Sequence, residues 1–317
     1  QGVSSAASDV YKRQALDPNN NALDLSNGAS ISYERLVVCP GLKLNWSGVE
    51  GLQETLGRNG VTSNYDYNTA PYTWDLVQNL KSGKALFTQP PMPIKCAGAP
   101  QKALYLSADH WMRQGVIRNI DIGFYTSTPG LFGVAHYVPA LMKYIEKYGA
   151  SLHFQHTLKK IDSDIKVATF QNQAGELIES EFDMLHVCPP QCAPEFVRQS
   201  PLANAEGWVD VDPDTLQSNS FENVWSLGDV ISAPNAKTAA AARSQAPVVA
   251  TNLLSHAGKS GDLSHYNGYG SCPLTVERGK IVLAEFGYGG KLLPSFPKWL
   301  IDGCLLYTSP SPRDVEE

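Results

Sequence analysis

Two cysteines stand out because of the residues that surround them. Cys96 lies in the segment KCAGAPQK, between Lys95 and Lys102, after a proline-rich bend and before a stretch with helical spacing. Positive neighbours and a helix N-terminus both lower the pKa of a thiol, so this pattern predicts a reactive thiolate. Cys272 lies in a glycine-rich turn, YNGYGSCPLT, whose backbone could approach a cofactor closely. The two positions are 272 − 96 = 176 residues apart, so any pairing is tertiary; the alternative is two unrelated buried cysteines.

A second candidate site begins where a short apolar strand ends in Gly228-Asp229, within SFENVWSLGDV. The glycine allows the backbone to turn, and the carboxylate can accept hydrogen bonds. An alanine-rich helix opens eight residues later, and its positive N-terminus suits an anionic ligand oxygen. The residues at that opening are Lys237, Thr238, Ala239 and Ala240.

Another apolar strand, LVVC, ends at Pro40-Gly41. In this order the two strand-and-turn segments resemble signatures of the flavoproteins with two dinucleotide-binding domains. In those proteins the Gly-Asp pair binds the flavin ribityl chain, and the next helix points its positive end at the flavin ring. The resemblance therefore implies FAD as the cofactor, with Pro40, Gly41 and the Gly-Asp and helix-opening residues around it.

Together with KCAGAPQK and SCPL, these segments resemble the sulfide:quinone oxidoreductase family, in the type found in mitochondria and related bacteria. The resemblance covers roughly residues 36–297. It implies that Cys96 and Cys272 form a redox-active bridge beside FAD, with Lys95 and Lys102 available to stabilise a thiolate. Hydrogen sulfide would attack Cys272 and leave it as a persulfide, while Cys96 would face the flavin. The electrons would pass to ubiquinone, and the sulfur to sulfite, glutathione or cyanide.

Three other functions compete with this one. A related flavoprotein could be an NADH:quinone reductase, or a sulfide dehydrogenase that reduces a cytochrome c. The chain could also be an inactive, flavin-free fragment. By the family resemblance, residues 120–150 stand where relatives that use nicotinamide carry a second glycine-rich loop. The local sequence PGLFG lacks the third glycine of GxGxxG. No metal is expected, since CPPQC at 188–192 has neither CxxC spacing nor a second cysteine pair.

The alternation of strands, turns and helices predicts an α/β protein with mostly parallel sheets. The resemblance implies two Rossmann-like domains of the flavin disulfide reductase superfamily, the first incomplete because its GxGxxG is missing. YERLVVCP at 33–40 and FDMLHVCP at 182–189 share a pattern that two related subdomains would give, with chance as the alternative. The predicted divisions are 15–88 (first FAD domain), 89–215 (second, redox domain), 216–258 (return to the FAD domain) and 259–303 (redox cysteine and quinone region).

Composition limits the remaining partners. A net charge of −6 and a pI near 5.7 argue against nucleic acid, which needs a basic face. Six cysteines in 317 residues do not indicate a disulfide scaffold. The segments 1–14 and 304–314 resemble translated sequencing-adapter sequence, with ordinary tails as the alternative, so 1–14 and 304–317 are excluded from the expected fold. The family resemblance implies peripheral attachment of the full-length parent to a membrane surface, either the mitochondrial inner membrane or a bacterial cytoplasmic membrane.

Overall fold

The computed structural model describes residues 13–296 and 306–307, with side chains described from residue 15 to residue 296. The chain forms two compact units. Unit 1 contains the described parts of Gln1–Lys43, Cys192–Gly270 and Gly287–Gly289; unit 2 contains those of Leu44–Gln191, Ser271–Phe286 and Gly290–Glu317. The segments predicted to be artefacts lie outside the described residues, except that residues 13–14 and 306–307 are in strands.

Eighteen strands and six α-helices are described. The strands are β1 (Arg13–Asp17), β2 (Ala22–Leu25), β3 (Ser30–Ser32), β4 (Leu36–Val38), β5 (Lys43–Leu44), β6 (Val61–Thr62), β7 (Gly83–Gln89), β8 (Ile120–Thr126), β9 (Ser151–Phe154), β10 (Thr157–Asp162), β11 (Val167–Gln171), β12 (Leu177–Glu181), β13 (Met184–His186), β14 (Gln191–Cys192), β15 (Val224–Ser226), β16 (Gly270–Glu277), β17 (Lys280–Phe286) and β18 (Leu306–Tyr307). The helices are α1 (Leu52–Thr55), α2 (Ala70–Asn79), α3 (Ala99–Arg113), α4 (Val138–Tyr148), α5 (Glu195–Arg198) and α6 (Ala239–His256).

Unit 2 is built on a five-stranded parallel sheet in the order β6-β13-β7-β8-β9. Its central strands are apolar and almost wholly buried, as expected of a sheet covered on both faces. The connecting helices α3 and α4 each carry proline in the first turn, where a missing N–H costs nothing. Helix α4 ends at Gly149, whose φ of 65° is the left-handed value that favours glycine.

Two antiparallel sheets complete unit 2. They are β10-β11-β12 and β16-β17-β18. Cys272 and Leu274 of β16 belong to the same buried apolar cluster as residues of α3 and α4. The sheet β16-β17-β18 therefore contributes directly to the core around α3.

Unit 1 pairs β4 with β15 in parallel, with Val38 opposite Ser226 at their carboxyl ends. An antiparallel sheet β1-β2-β3 lies in the same unit. The cluster of buried side chains includes Val38, Trp225 and Val248, the last from α6. These contacts hold the two parallel strands and the long helix in one body.

Most of the predicted elements are present. The helices predicted at 100–114, 137–148 and 236–254 correspond to α3, α4 and α6, and the hairpin predicted across Gly175 is β11–β12. The α/β fold class with a parallel sheet is confirmed. Strands β6 and β14 were not predicted because each has two residues, too few to show a period.

The unit boundaries differ from the predicted domain boundaries. The chain passes between the units at 43/44, 191/192, 270/271, 286/287 and 289/290, whereas the prediction placed divisions at 88/89, 215/216 and 258/259. Strand β7, predicted to end the first domain, is hydrogen-bonded on both sides within the sheet of unit 2. The two similar octapeptides contain β4 and β13, one strand in each unit. Each of these strands comes shortly before a point where the chain changes unit.

The strand order also changes the place in this chain that corresponds to the glycine-rich loop of relatives that use nicotinamide. In a doubly wound sheet the glycine-rich loop follows the first strand of the βαβαβ run, which here is β7. The loop after β7 contains PPMP and Cys96, with no GxGxxG. The prediction that residues 120–150 correspond to this loop was therefore wrong by one strand, because β8 is the second strand of the βαβαβ run.

Candidate active site

The two predicted cysteines meet in unit 2. The Cys96 and Cys272 Sγ atoms are 3.3 Å apart, and both thiols are free. Cys96 lies in the loop between β7 and α3, and Cys272 is the third residue of β16. An S–S bond of about 2.05 Å would require only a small approach of the two sulfurs. The geometry is that of a reduced pair that can form a bridge.

Close packing around Gly98 brings the sulfurs together. A Cβ at this position would stand 2.6 Å from Cys272 Sγ and 2.7 Å from Leu274 Cδ2, distances that real Cβ atoms do not show. Only a glycine therefore lets the start of α3 approach β16 this closely. Cys96 itself has a φ of 50°, a left-handed conformation that costs energy for a residue with a side chain. A hydrogen bond of 2.7 Å from the Ala99 amide to the Cys96 carbonyl closes this turn.

The two thiols have opposite electrostatic surroundings. A hydrogen bond from the Cys272 thiol lowers the pKa of Cys96 to about 6, assisted by the Lys102 ammonium and by the Gly98 amide. The Lys102 Nζ atom lies 3.5 Å from Cys96 Sγ. The pKa of Cys272 is raised because it shares its proton with Cys96 and because it is 1% exposed. The pair therefore holds one proton near neutral pH, on Cys272, with Cys96 as the thiolate.

Lys95 is placed differently from Lys102. Its ammonium lies 5.6 Å from the centre of the Tyr65 ring. Its backbone amide donates to Gln191 Oε1 at 2.6 Å, which ties the cysteine loop to the segment after β13. A third thiol, Cys188, follows β13, and burial raises its pKa to about 12. A thiol held neutral in this way is inert as a nucleophile.

The predicted cofactor-binding turns lie together in unit 1. Because β4 and β15 are parallel neighbours, the turns at Pro40-Gly41 and Gly228-Asp229 leave the same edge of the ladder. The Ser226 hydroxyl donates to the Val38 carbonyl and locks the strand ends together. Ligands of open α/β sheets bind at the carboxyl ends of the strands.

These turns have the room that a ligand requires. Gly41 and Gly228 have φ values of 74° and 80°, and no heavy atom lies within 4 Å of the position a Cβ would take. The Gly228 amide donates to Gln245 Oε1 of α6 at 2.7 Å, so the helix fixes the turn. The residues present therefore fit a cofactor that approaches the backbone closely, as FAD does at a Gly-Asp turn.

The buried side chain of Lys237 supports the Gly228-Asp229 turn. Its ammonium, on a side chain that is 5% exposed, donates to the carbonyls of Asp229 and Ile231 at 2.8 Å each. It also lies 4.0 Å from the centre of the Trp208 ring. Burial lowers its pKa to about 8. The side chain therefore positions the Gly-Asp turn and does not point its charge at a ligand.

The start of α6 has a capped N-terminus with free backbone amides. Thr238 is the N-cap, and its hydroxyl accepts from the Ala241 amide at 3.1 Å. The amides of Ala239 and Ala240 have no partner within the helix, as at every helix N-terminus. These two amides could receive an anionic oxygen of the cofactor.

Sequence reasoning missed three residues that organise the sites. Gly98 lies inside a motif that was recognised, but its role depends on Leu274 and Cys272, which are distant in sequence. Tyr65 and Gln245 gave no local signal, because the hydroxyl and the amide matter only through tertiary contacts.

No group of three or more metal-binding side chains occurs among residues 15–296. No described helix is long and apolar enough to cross a bilayer.

Comparison with known proteins places these features in a family context. The chain is 42% identical over 284 residues to a mitochondrial sulfide:quinone oxidoreductase of Dictyostelium discoideum, covering 88% of this chain and 62% of the relative. It is 37% identical to that of Mus musculus, covering 89% and 63%. The chain thus spans less than two thirds of the length of these curated relatives. No protein-family model matches it.

Solved structures agree on the fold. The sulfide:quinone oxidoreductase of Aquifex aeolicus superposes with a TM-score of 0.76 at 18% identity, covering 92% of this chain and 71% of that one. A thioredoxin reductase of T. acidophilum gives a TM-score of 0.51 at 16% identity, covering 78% and 74%. The chain therefore shares the fold of these two solved structures. Over most of its length the chain is similar to mitochondrial sulfide:quinone oxidoreductases, which confirms the resemblance that its motifs indicated.

Proposed function

We propose that the chain carries the sulfide-oxidising centre of a sulfide:quinone oxidoreductase. The observation that carries the proposal is the Cys96–Cys272 pair. Its sulfurs are 3.3 Å apart, and the proton that they share is held on Cys272. The similarity to curated relatives of that name supports the choice of sulfide as donor and quinone as acceptor. No comparison favours an NADH:quinone reductase or a cytochrome-linked sulfide dehydrogenase.

The chemistry is thiol–disulfide exchange. In the oxidised state a hydrosulfide anion attacks Cys272 Sγ, the S–S bond to Cys96 breaks, and Cys96 leaves as a thiolate. The sulfide sulfur is then bound to Cys272 as a persulfide, and the electron pair of the broken S–S bond stays on Cys96. A leaving thiol of low pKa departs faster, which favours Cys96 in this role. Lys102 stabilises the departing charge from 3.5 Å.

FAD is the proposed cofactor, and it would supply the two-electron acceptor that restores the bridge. The residues proposed to hold it are those of the two turns and of the start of α6: Pro40, Gly41, Gly228, Asp229, Thr238, Ala239 and Ala240. Lys237 keeps the Gly-Asp turn in place through its two carbonyl contacts. Gln245 does the same through the Gly228 amide.

The remaining partners are inferred from the relatives. Ubiquinone is the proposed electron acceptor. The persulfide sulfur would pass to a small acceptor such as sulfite, glutathione or cyanide. The relatives are named as mitochondrial, which supports a mitochondrial location. Attachment to the surface of the inner membrane is proposed from the family resemblance alone.

Sulfide-dependent reduction of a soluble ubiquinone analogue by the FAD-loaded chain tests this proposal. We expect Cys96→Ser and Cys272→Ser each to abolish turnover, because either change removes one sulfur of the bridge. Cys192→Ser is the matched control and should retain activity, since this partly exposed thiol lies outside the pair. Full activity in either of the first two variants would refute the assignment of the bridge.

A further inference from the structure

Side-chain and backbone hydrogen bonds fix the loop after β6, at residues 63–65. The Ser63 hydroxyl donates to the Val187 carbonyl at 2.7 Å and accepts from the Tyr65 amide at 3.1 Å. The Asn64 amide donates to His186 Nε2 at 3.0 Å. His186 is 0% exposed, and burial lowers its pKa to about 4, so the ring is a neutral acceptor. The loop is thus attached to the last residue of β13 and to the residue after it, and these bonds hold the backbone at Tyr65 in place.

The Tyr65 side chain reaches the surroundings of the cysteine pair. Its ring contacts the Lys95 ammonium at 5.6 Å, and Lys95 is the residue before Cys96. Burial, followed by the nearby Cys188, Cys96 and Cys272, raises its pKa well above the usual 10. The phenol therefore stays protonated near neutral pH, where Cys96 is a thiolate.

The Tyr65 hydroxyl is buried close to the Cys188 thiol, a weak acceptor, and makes no hydrogen bond of normal length and angle with any described residue. A buried hydroxyl without a partner carries a cost in free energy that a bound ligand would remove. The ligand must accept a hydrogen bond, and the adjacent ammonium favours a negative charge. The Tyr65 side chain thus offers one O–H donor, with a cation beside its ring, to an anion that approaches the bridge.

We propose that Tyr65 is a sulfide-binding residue, whose hydroxyl, with the Lys95 ammonium beside it, holds the hydrosulfide anion for attack on the Cys96–Cys272 bridge. This inference rests on the proposed function and names a further residue of the same site. The hydroxyl donates a hydrogen bond and keeps its proton, and no other bond is made or broken at Tyr65.

The test compares Tyr65→Phe with wild type after oxidation of the full chain with diamide. The rate at which the Cys96 thiol is released is measured against sulfide concentration, and separately with tris(hydroxypropyl)phosphine, a neutral reductant. We expect Tyr65→Phe to slow the sulfide reaction by about tenfold or more, as for loss of a hydrogen bond to a charged group, and to leave the phosphine reaction unchanged. Tyr67→Phe, on a residue that is 92% exposed in the same loop, is the control and should match wild type in both reactions.

Each other outcome overturns the inference in a recognisable way. Equal sulfide rates in Tyr65→Phe and wild type would show that the hydroxyl does not bind sulfide. Slowing of both reactions would assign Tyr65 a purely structural role. If wild type itself releases no Cys96 thiol with sulfide but does so with the phosphine, the proposed function fails together with this inference.

Discussion

Cys96 and Cys272 differ in acidity because they cannot both be ionised at a sulfur–sulfur distance of 3.3 Å. The proton stays on Cys272, the more buried of the two, and the charge stays on Cys96 beside Lys102. This division gives each sulfur a part in exchange chemistry. In the proposed mechanism the buried sulfur, Cys272, receives the attack, and the stabilised one, Cys96, leaves.

The charge of Lys102 should therefore be measurable in the titration of Cys96. In wild type, alkylation of Cys96 by iodoacetamide should rise as the pH increases through about 6. Lys102→Met should move this midpoint upward by about one unit or more, since an opposite charge within 4–6 Å shifts a pKa by roughly 1–3 units. The rates are followed on the Cys96 peptide by mass spectrometry.

Lys102→Arg provides the control, because it keeps the positive charge and should keep the low midpoint. An unchanged midpoint in Lys102→Met would mean that the lysine does not set the acidity of Cys96.

At the scale of elements, the site depends on how closely α3 approaches β16. We expect Gly98→Ala to force these elements apart, because the new Cβ would stand 2.6 Å from Cys272 Sγ. Diamide-driven formation of the Cys96–Cys272 bridge should slow by about tenfold to a hundredfold, the range expected when reacting atoms are misplaced by about 1 Å. Non-reducing peptide mapping measures the bridge.

Gly133→Ala is the matched control, since open space surrounds its Cβ position and its φ is not positive. Bridge formation at the wild-type rate in Gly98→Ala would contradict the role of this close approach.

Some of these elements and contacts could be predicted from the sequence, and others could not. The lysines and the coming helix around Cys96 are local features, so the reactive thiol was predictable, and the long periodic stretches gave α3, α4 and α6 nearly to the residue. The contact between Gly98 and β16 joins positions far apart in sequence, and Tyr65 acts through a loop that has no period. The compact units divide the chain differently from the predicted domains: β7, bounded by Gly83 and a run of prolines, resembles the end of a domain in the sequence and is a central strand in the sheet of unit 2.

At the scale of the whole molecule, the residues of the two proposed sites lie in separate compact units. Unit 1 holds the turns proposed for FAD, and unit 2 holds the cysteine pair. The pair itself joins residues 176 positions apart, so the redox centre exists only when β7, α3 and β16 are all in place. The proposed activity is thus a property of the fold and not of either cysteine motif alone.

The central claim is that sulfide is captured as a persulfide on this pair. The direct measurement is to oxidise the full chain with diamide, add sulfide, block free thiols, and locate the added sulfur by peptide mass spectrometry. We predict one extra sulfur atom on the Cys272 peptide and a newly blocked thiol at Cys96. A bridge that survives sulfide, or extra sulfur only on Cys39, Cys188 or Cys192, would contradict the account.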